Sequence, residues 1–449
     1  MDELIISVSG LRGTIGGTLT PDVAMRYVTA YSALAEPGPF VITRDGRGSG
    51  RMLAQLIHAS LNASGRDTID ADIAATPTTG VLIREMNAAG GIQISASHNP
   101  SEYNGLKLFS AQGRIIPKAP GQRVKDLYDQ NATAWVGYAE LGEKTVCEDP
   151  AAPHLAAVLA TVDVERIRAR NFKVLLDSNR SSGSILGRRL LEALGCRITL
   201  LGEQPDGRFE HTPEPTAENL EPVLHKVVEA GADIGFCQDP DADRLAVIDA
   251  AGRYLGEEYT LSLCVDQILR QAKTKGPIVM NCSTSRMSED LADKHGVPLY
   301  RSAVGEANVV DLMLEKNALF GGEGNGGPID PRVGLVRDSF VGMAQLLDAM
   351  AAREMSIADL ADEIPRYSIV KTKIALDQEK VAAGLDAIEA QYPDATTDPL
   401  DGLRLDWPGR WLLIRASNTE PIVRAIAEAE TEAEASALCE TSGRVLRSL

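Results

Sequence analysis

From residue 40 onward, short apolar runs alternate with amphipathic stretches, and no other feature restricts the fold of this chain as strongly. Runs rich in Val, Ile and Leu stand at 40–43, 69–74, 91–94, 173–176, 197–201, 232–236, 278–281, 299–302 and 318–320. Helical patterns lie between them at 52–62, 80–86, 185–194, 219–229, 286–295 and 307–315, some closed by a glycine such as Gly65 or Gly195. An apolar strand, a helix and a second apolar strand read as a βαβ unit, with parallel strands covered on both faces. The alternation stops near the C-terminus. There, 409–414 and 422–425 read as strands around a polar loop, ahead of an Ala/Glu-rich helix over 432–446. The expectation is therefore α/β: three similar α/β domains with mixed, mostly parallel sheets, then a smaller C-terminal α+β domain. Turn-rich linkers near 149–153, 252–257 and 365–368 divide the chain into 1–149, 150–253, 254–367 and 368–449. Glu428, Glu430, Glu432 and Glu434 read as a solvated acidic surface.

The length of 449 residues suits several domains, and 44% apolar with 24% charged residues excludes wholesale disorder. Lys and Arg number 45 against 63 Asp and Glu, a net charge of −18. That balance disfavours nucleic acid and anionic membrane as partners, because both need a basic face. It also sits badly with an anionic substrate, unless positive charge is gathered locally. The six cysteines are scattered without a CxxC, the pattern of a reducing compartment. The start, MDELIISVSG, lacks the basic and apolar regions of a secretory leader, and no apolar stretch is long enough to span a bilayer. A cytoplasmic protein, monomer or homodimer, is expected.

Four segments carry chemistry. Ile94-Ser-Ala-Ser97-His98-Asn99-Pro100 leaves the C-terminal end of a predicted strand, the edge where open α/β sheets bind ligands. A serine beside a histidine in such a loop suits nucleophilic or phosphate-carrying work, although Ser, Asn and Pro also make an ordinary turn. Asp239-Pro-Asp241-Ala-Asp243-Arg244 places three carboxylates at alternate positions. They repel one another unless a cation sits among them, and oxygen donors favour Mg²⁺ or Ca²⁺. An EF-hand is excluded, since its sixth and twelfth positions would be Arg244 and Ala250 instead of Gly and Glu. Gly321-Gly322-Glu323-Gly324-Asn325-Gly326-Gly327 is a strand-end loop in which Glu323 and Asn325 can hydrogen-bond sugar hydroxyls. Arg415-Ala-Ser417-Asn418-Thr419-Glu420-Pro421, with Arg424 beyond it, makes a cradle for a phosphate dianion. A weaker fifth segment is Ser9-Gly10-Leu11-Arg12-Gly13-Thr14, on its own a surface loop.

Together these segments resemble the α-D-phosphohexomutase family, in matching order from Ser9 to Arg424. The resemblance implies four domains around a central cleft, each giving one loop: phosphoserine, metal, sugar and phosphate. It implies that Ser97 carries the transferable phosphoryl group and is a further metal ligand. Asp239, Asp241 and Asp243 would hold Mg²⁺, and Arg12, His98 and Arg244 would stand beside the phosphoserine. Lys107, in Tyr103-Asn104-Gly105-Leu106-Lys107, would do general acid/base work, where the residues alone suggest a surface lysine. Glu323 and Asn325 would bind the sugar, and Arg415, Ser417, Asn418, Thr419 and Arg424 the distal phosphate. The implied reaction interconverts hexose 6- and 1-phosphates through a hexose 1,6-bisphosphate. Many phosphoglucomutases and phosphomannomutases have Ser where Asn325 stands. With Gly305-Glu306-Ala307-Asn308 and Ser283-Thr-Ser285-Arg286, this form is most similar to phosphoglucosamine mutases of the archaeal type. Phosphoglucomutase or phosphomannomutase activity is the alternative. A haloacid-dehalogenase-type phosphatase is more remote, because it wants Asp-x-Asp-x-Thr/Val and leaves Ser97 unexplained.

Overall fold

The computed structural model describes residues 4–7, 10–131, 134–417 and 422–448. Four sheets organise them. The first has seven strands. Its parallel half holds the three predicted strands, with Phe40–Arg44 between Gly90–Ile94 and Thr68–Ile73, and adds Lys144–Val146, absent from the predicted series, at the edge. Its antiparallel half adds Tyr103–Ser110, Gly10–Thr14 and Ile5–Ser7. The second and third sheets have four strands each: three parallel strands closed by one antiparallel strand, Leu245–Asp249 or Gly327–Ile329. The fourth has five strands, antiparallel throughout, covered by the helices Val381–Gln391 and Glu432–Arg447. Three α/β domains and a smaller C-terminal domain therefore follow one another.

Several sequence expectations are corrected. The helices expected at 52–62 and 80–86 start four residues earlier, as Gly48–Ala63 and Thr76–Glu85. Their first turns hold Gly, Ser, Thr and Pro, which read as loop residues but are common at helix N-termini. The segment around Arg12 is a strand, because it pairs with both Ile5–Ser7 and Tyr103–Ser110. Lys107 lies mid-strand, opposite Gly10 on one side and Gln93 on the other. The glycine-rich loop is a hairpin: Phe320–Glu323 pairs antiparallel with Gly327–Ile329, so Glu323 is a strand residue. Glu428 is not solvated. It is fully buried on the strand Ile422–Ala429, on the face it shares with Arg424 and Ile426.

The cores show which parts are packed as one body. One continuous core joins the second and third domains, from Val174 and Phe236 through Leu261 and Ile278 to Phe340, and takes in Ala75 and Val81 of the first. Its axis is the helix Ser339–Arg353, apolar around most of its surface and buried nearly throughout. The first domain has its own core around Tyr27, Phe40 and Ile92, and the fourth around Leu405, Leu412 and Ile414. A small patch of Cys282, Trp411, Leu413 and Ile426 fastens the fourth domain to the third. Among the described residues, no helix is long and apolar enough to cross a membrane.

Candidate active site

Ser97 lies in the loop that leaves Gly90–Ile94, and its backbone is left-handed at φ 49°. A residue with a Cβ holds that conformation at a cost of about 1–2 kcal/mol, so its neighbours must fix it. They do. The Ser97 N–H donates to Ser95 Oγ at 2.9 Å, and that hydroxyl donates to Asp45 Oδ2 at 2.7 Å. Asp45 pairs with Arg47, whose guanidinium also donates to the carbonyls of Ser97, at 2.8 Å, and Asn99. Asp45 and Arg47 are both buried, and no motif in the chain singles them out.

The second loop meets Ser97 head on. Ala242, also left-handed at φ 56°, turns the chain so that Asp239, Asp241 and Asp243 face inward, all fully buried. Ser97 Oγ donates to Asp239 Oδ2 at 2.8 Å and lies 3.3 Å from His98 Nδ1. The Lys107 ammonium contacts Asp241 Oδ2 and, at 3.0 Å, Asp243 Oδ2. Thr76 donates to Asp241 as well. Ligand oxygens of the three aspartates lie within 4.8 Å of one another. Asp241 Oδ1 and Asp243 Oδ1 are buried and take no hydrogen bond. Two orphaned anionic oxygens in a dry site are costly, and a hard cation would satisfy both. The triad thus fits a divalent metal.

Charge couplings follow. Burial, then the Asp241 and Asp243 charges, push Asp239 well above the carboxylate range. Asp241 is driven below it despite its burial, because Lys107 sits beside it. Burial works against the Lys107 ammonium, but the two aspartates outweigh it and keep it protonated. Burial, with Arg244 nearby, lowers His98 to about 3, so its ring is neutral at pH 7.

The third loop reaches the same centre through Arg337, a buried arginine that sequence reading missed. It donates to Asp243 Oδ2 at 2.8 Å, Glu306 Oε2 at 2.9 Å and Glu323 Oε2 at 3.0 Å, tying the metal loop to the sugar hairpin. Glu323 Oε1 accepts from Asn281 at 2.7 Å and from the Gly305 N–H at 3.1 Å. Asn325 sits at the hairpin turn with a buried, unpartnered Oδ1. Arg244 Nε lies 4.0 Å from Asp243 Oδ1.

A cleft of about 370 Å³ joins Ser97, Lys107 and exposed Arg12 to Arg415, Ser417 and Arg424 of the fourth domain. Arg415 and Arg424 face each other across neighbouring strands, and Lys373 is the next partner along that row. Like charges directly opposite in a sheet repel, so three cations in line call for an anion. Asp401, 3.1 Å from Arg415 Nε, supplies only part of it. Asn418 and Thr419 lie outside the described residues. Four cationic side chains (Arg12, Lys107, Arg415, Arg424) thus line this cleft, with Arg244 beside the triad, on a protein whose total charge is −18.

Comparison with known proteins agrees with this architecture. Family models for phosphoglucomutase/phosphomannomutase match throughout: alpha/beta/alpha domain I at 4–135, domain II at 152–252, domain III at 257–367 and the C-terminal domain at 373–441. A protein of Thermococcus kodakarensis named phosphoglucomutase/phosphomannomutase is 35% identical, covering 95% of this chain and 94% of its own. The phosphoglucosamine/phosphogalactosamine mutase of Sulfurisphaera tokodaii is 30% identical over 95% of this chain and 96% of its own. The crystal structure of a phosphoglucomutase/phosphomannomutase family protein from Burkholderia thailandensis superposes with a TM-score of 0.86 at 25% identity, covering 99% and 97% of the two chains. With four domain models in order and relatives matched end to end, this chain belongs to the phosphoglucomutase/phosphomannomutase family and is a phosphohexomutase.

Proposed function

We propose that the enzyme interconverts the 6- and 1-phosphates of an amino-hexose, glucosamine foremost, with Ser97 as the phosphoryl carrier. The observation that carries this reading is the Ser97 hydroxyl, held 2.8 Å from Asp239 at the mouth of the carboxylate triad. Phosphorylated Ser97 donates its PO₃ group to the free hydroxyl of a bound hexose monophosphate. The Ser Oγ–P bond breaks as the sugar O–P bond forms, and the sugar hydroxyl loses its proton. The resulting 1,6-bisphosphate turns end for end, and its other phosphoryl group returns to Ser97.

Such transfer depends on positioning and charge neutralisation. Asp239, Asp241 and Asp243, with the Ser97 phosphate, would hold Mg²⁺, which neutralises charge on the moving phosphoryl group. Arg12 and Arg244 flank that group, with His98 beside Ser97, and Lys107 acts as general acid/base. Glu323 and Asn325 orient the sugar. Arg415, Ser417, Asn418, Thr419 and Arg424 hold the phosphate that is not reacting. The boundaries 1–149, 150–253, 254–367 and 368–449 belong to the same reading, with the last domain turning to close the cleft against water.

The amino-sugar preference is supported by the Gly-Glu-Gly-Asn-Gly-Gly hairpin and by the Sulfurisphaera relative. A glucose/mannose preference has the Thermococcus relative in its favour. Comparing kcat/KM for glucosamine-, glucose- and mannose-6-phosphate, with Mg²⁺ and glucose 1,6-bisphosphate present, decides between them. Glucosamine-6-phosphate should rank first, and a value below both others would overturn the substrate assignment.

A further inference from the structure

A second cavity, of about 410 Å³, opens where the strand Ser368–Ala375 meets the start of the helix Glu257–Gln271 and the glycine hairpin. Its described walls carry three carboxylates, Glu257, Glu258 and Glu428, against one ammonium, Lys371. Glu428 is fully buried. Its Oε1 accepts from the Arg286 N–H at 2.9 Å and the Trp411 indole at 2.7 Å, and its Oε2 takes no hydrogen bond. Glu257 Oε1 is likewise buried and unpartnered. Glu258 Oε2 accepts from the Ser285 N–H at 3.0 Å.

Gly324 is what admits Glu258. A Cβ at that position would stand 2.0 Å from Oε2 and 2.2 Å from Oε1, so the sugar hairpin and this carboxylate share one space. Glu257 lies within reach of the Arg244 and Arg337 charges, so the cavity neighbours the triad and the hairpin that Arg337 ties together. Burial pushes Glu257 up to about 7 and Glu258 up to about 8, as expected of carboxylates short of a cation. A sugar hydroxyl offers such a cavity one donor and no charge. A protonated amine offers three donors and a full positive charge.

We propose that this cavity seats the protonated amino group of an amino-hexose phosphate, and that Glu257 and Glu258 determine specificity for it. The inference rests on the amino-sugar reading given under Proposed function. Three carboxylates against the one ammonium of Lys371 leave room for one further cation, and Gly324 brings the sugar hairpin against it.

The test is the ratio of kcat/KM for glucosamine-6-phosphate to that for glucose-6-phosphate, two substrates that differ at one substituent. Glu257→Gln and Glu258→Gln keep side-chain size and remove charge. Each should lower the ratio tenfold or more, and a ratio within twofold of wild type overturns the proposal. Should either variant fail to fold, Lys371→Met at an exposed position decides: the ratio should rise at least twofold, and no rise overturns the proposal. A wild-type enzyme with no turnover of glucosamine-6-phosphate would sink the substrate assignment and the cavity's role with it. Amino-sugar turnover with unchanged ratios in the variants would sink the cavity's role alone.

Discussion

At Ser97 a left-handed backbone is held by a buried chain of hydrogen bonds that runs through Ser95 and Asp45 to Arg47. The serine, the three aspartates and the two arginines of the phosphate loop each sit in a short string whose spacing already implies chemistry. Asp45, Arg47, Thr76 and Arg337 act only through folding: Arg47 reaches carbonyls 50 and 52 residues away, and Thr76 a carboxylate 165 residues away. Pairwise separation of that kind leaves no local pattern. Ser97→Ala removes the proposed carrier hydroxyl and should lower mutase turnover ~10³-fold or more. Its circular dichroism spectrum should match wild type, and near-normal turnover would refute the carrier role. Arg47→Met should destabilise by about 3–5 kcal/mol in urea, because it strands Asp45 as a buried uncompensated charge. His58 gives a separate test on the first domain. Burial lowers its pKa from 6.5 to about 4, and Nδ1 lies 2.8 Å from Thr68 Oγ1. Between those values the unfolded chain binds a proton that the folded chain refuses, so stability falls as pH drops from 6.5 toward 4. Urea midpoints across that range should fall more steeply for wild type than for His58→Gln.

Elements with a clear period were readable, and those without one were hidden. The strands Arg197–Leu201, Ile278–Asn281 and Leu299–Ser302 coincide with their apolar runs. The helix Ser339–Arg353 escaped because a helix buried on all sides has no polar face to set a repeat. Its N-cap repays inspection: Asp338 Oδ1 accepts from the N–H groups of Phe340 and Val341, and Oδ2 lies 2.7 Å from His154 Nε2. Asp338→Ala should therefore cost about 1–2 kcal/mol for the cap, and about 1–3 kcal/mol more for the orphaned buried histidine. Chemical denaturation would check this, and a change under 1 kcal/mol would contradict it. Glu428 was misread for a related reason. Its run of glutamates looks uniform in sequence, yet strand alternation and the facing third domain bury this one while Glu430, Glu432 and Glu434 stay exposed.

The whole molecule is built as three domains tied together through the central core, with the fourth fastened to them. The core shared by the second and third domains leaves no surface along which they could separate, whereas the fourth keeps its own core and a small fastening patch. Sequence reading found four domains but could not tell fused from fastened, since cores are made by contacts and not by composition. Calorimetry should resolve two transitions, and Leu405→Ala, at a fully buried position of the fourth-domain core, should lower one by about 2–5 kcal/mol in stability and leave the other in place. A single transition that shifts as a whole would show that the patch couples the domains fully. The same arrangement sets where the gene tolerates division. Fragments 1–366 and 367–449, made as separate chains, should reassemble into a working enzyme, because each carries a finished interior. Fragments divided at 253 should not, because each would hold half of an interior that only the other can complete.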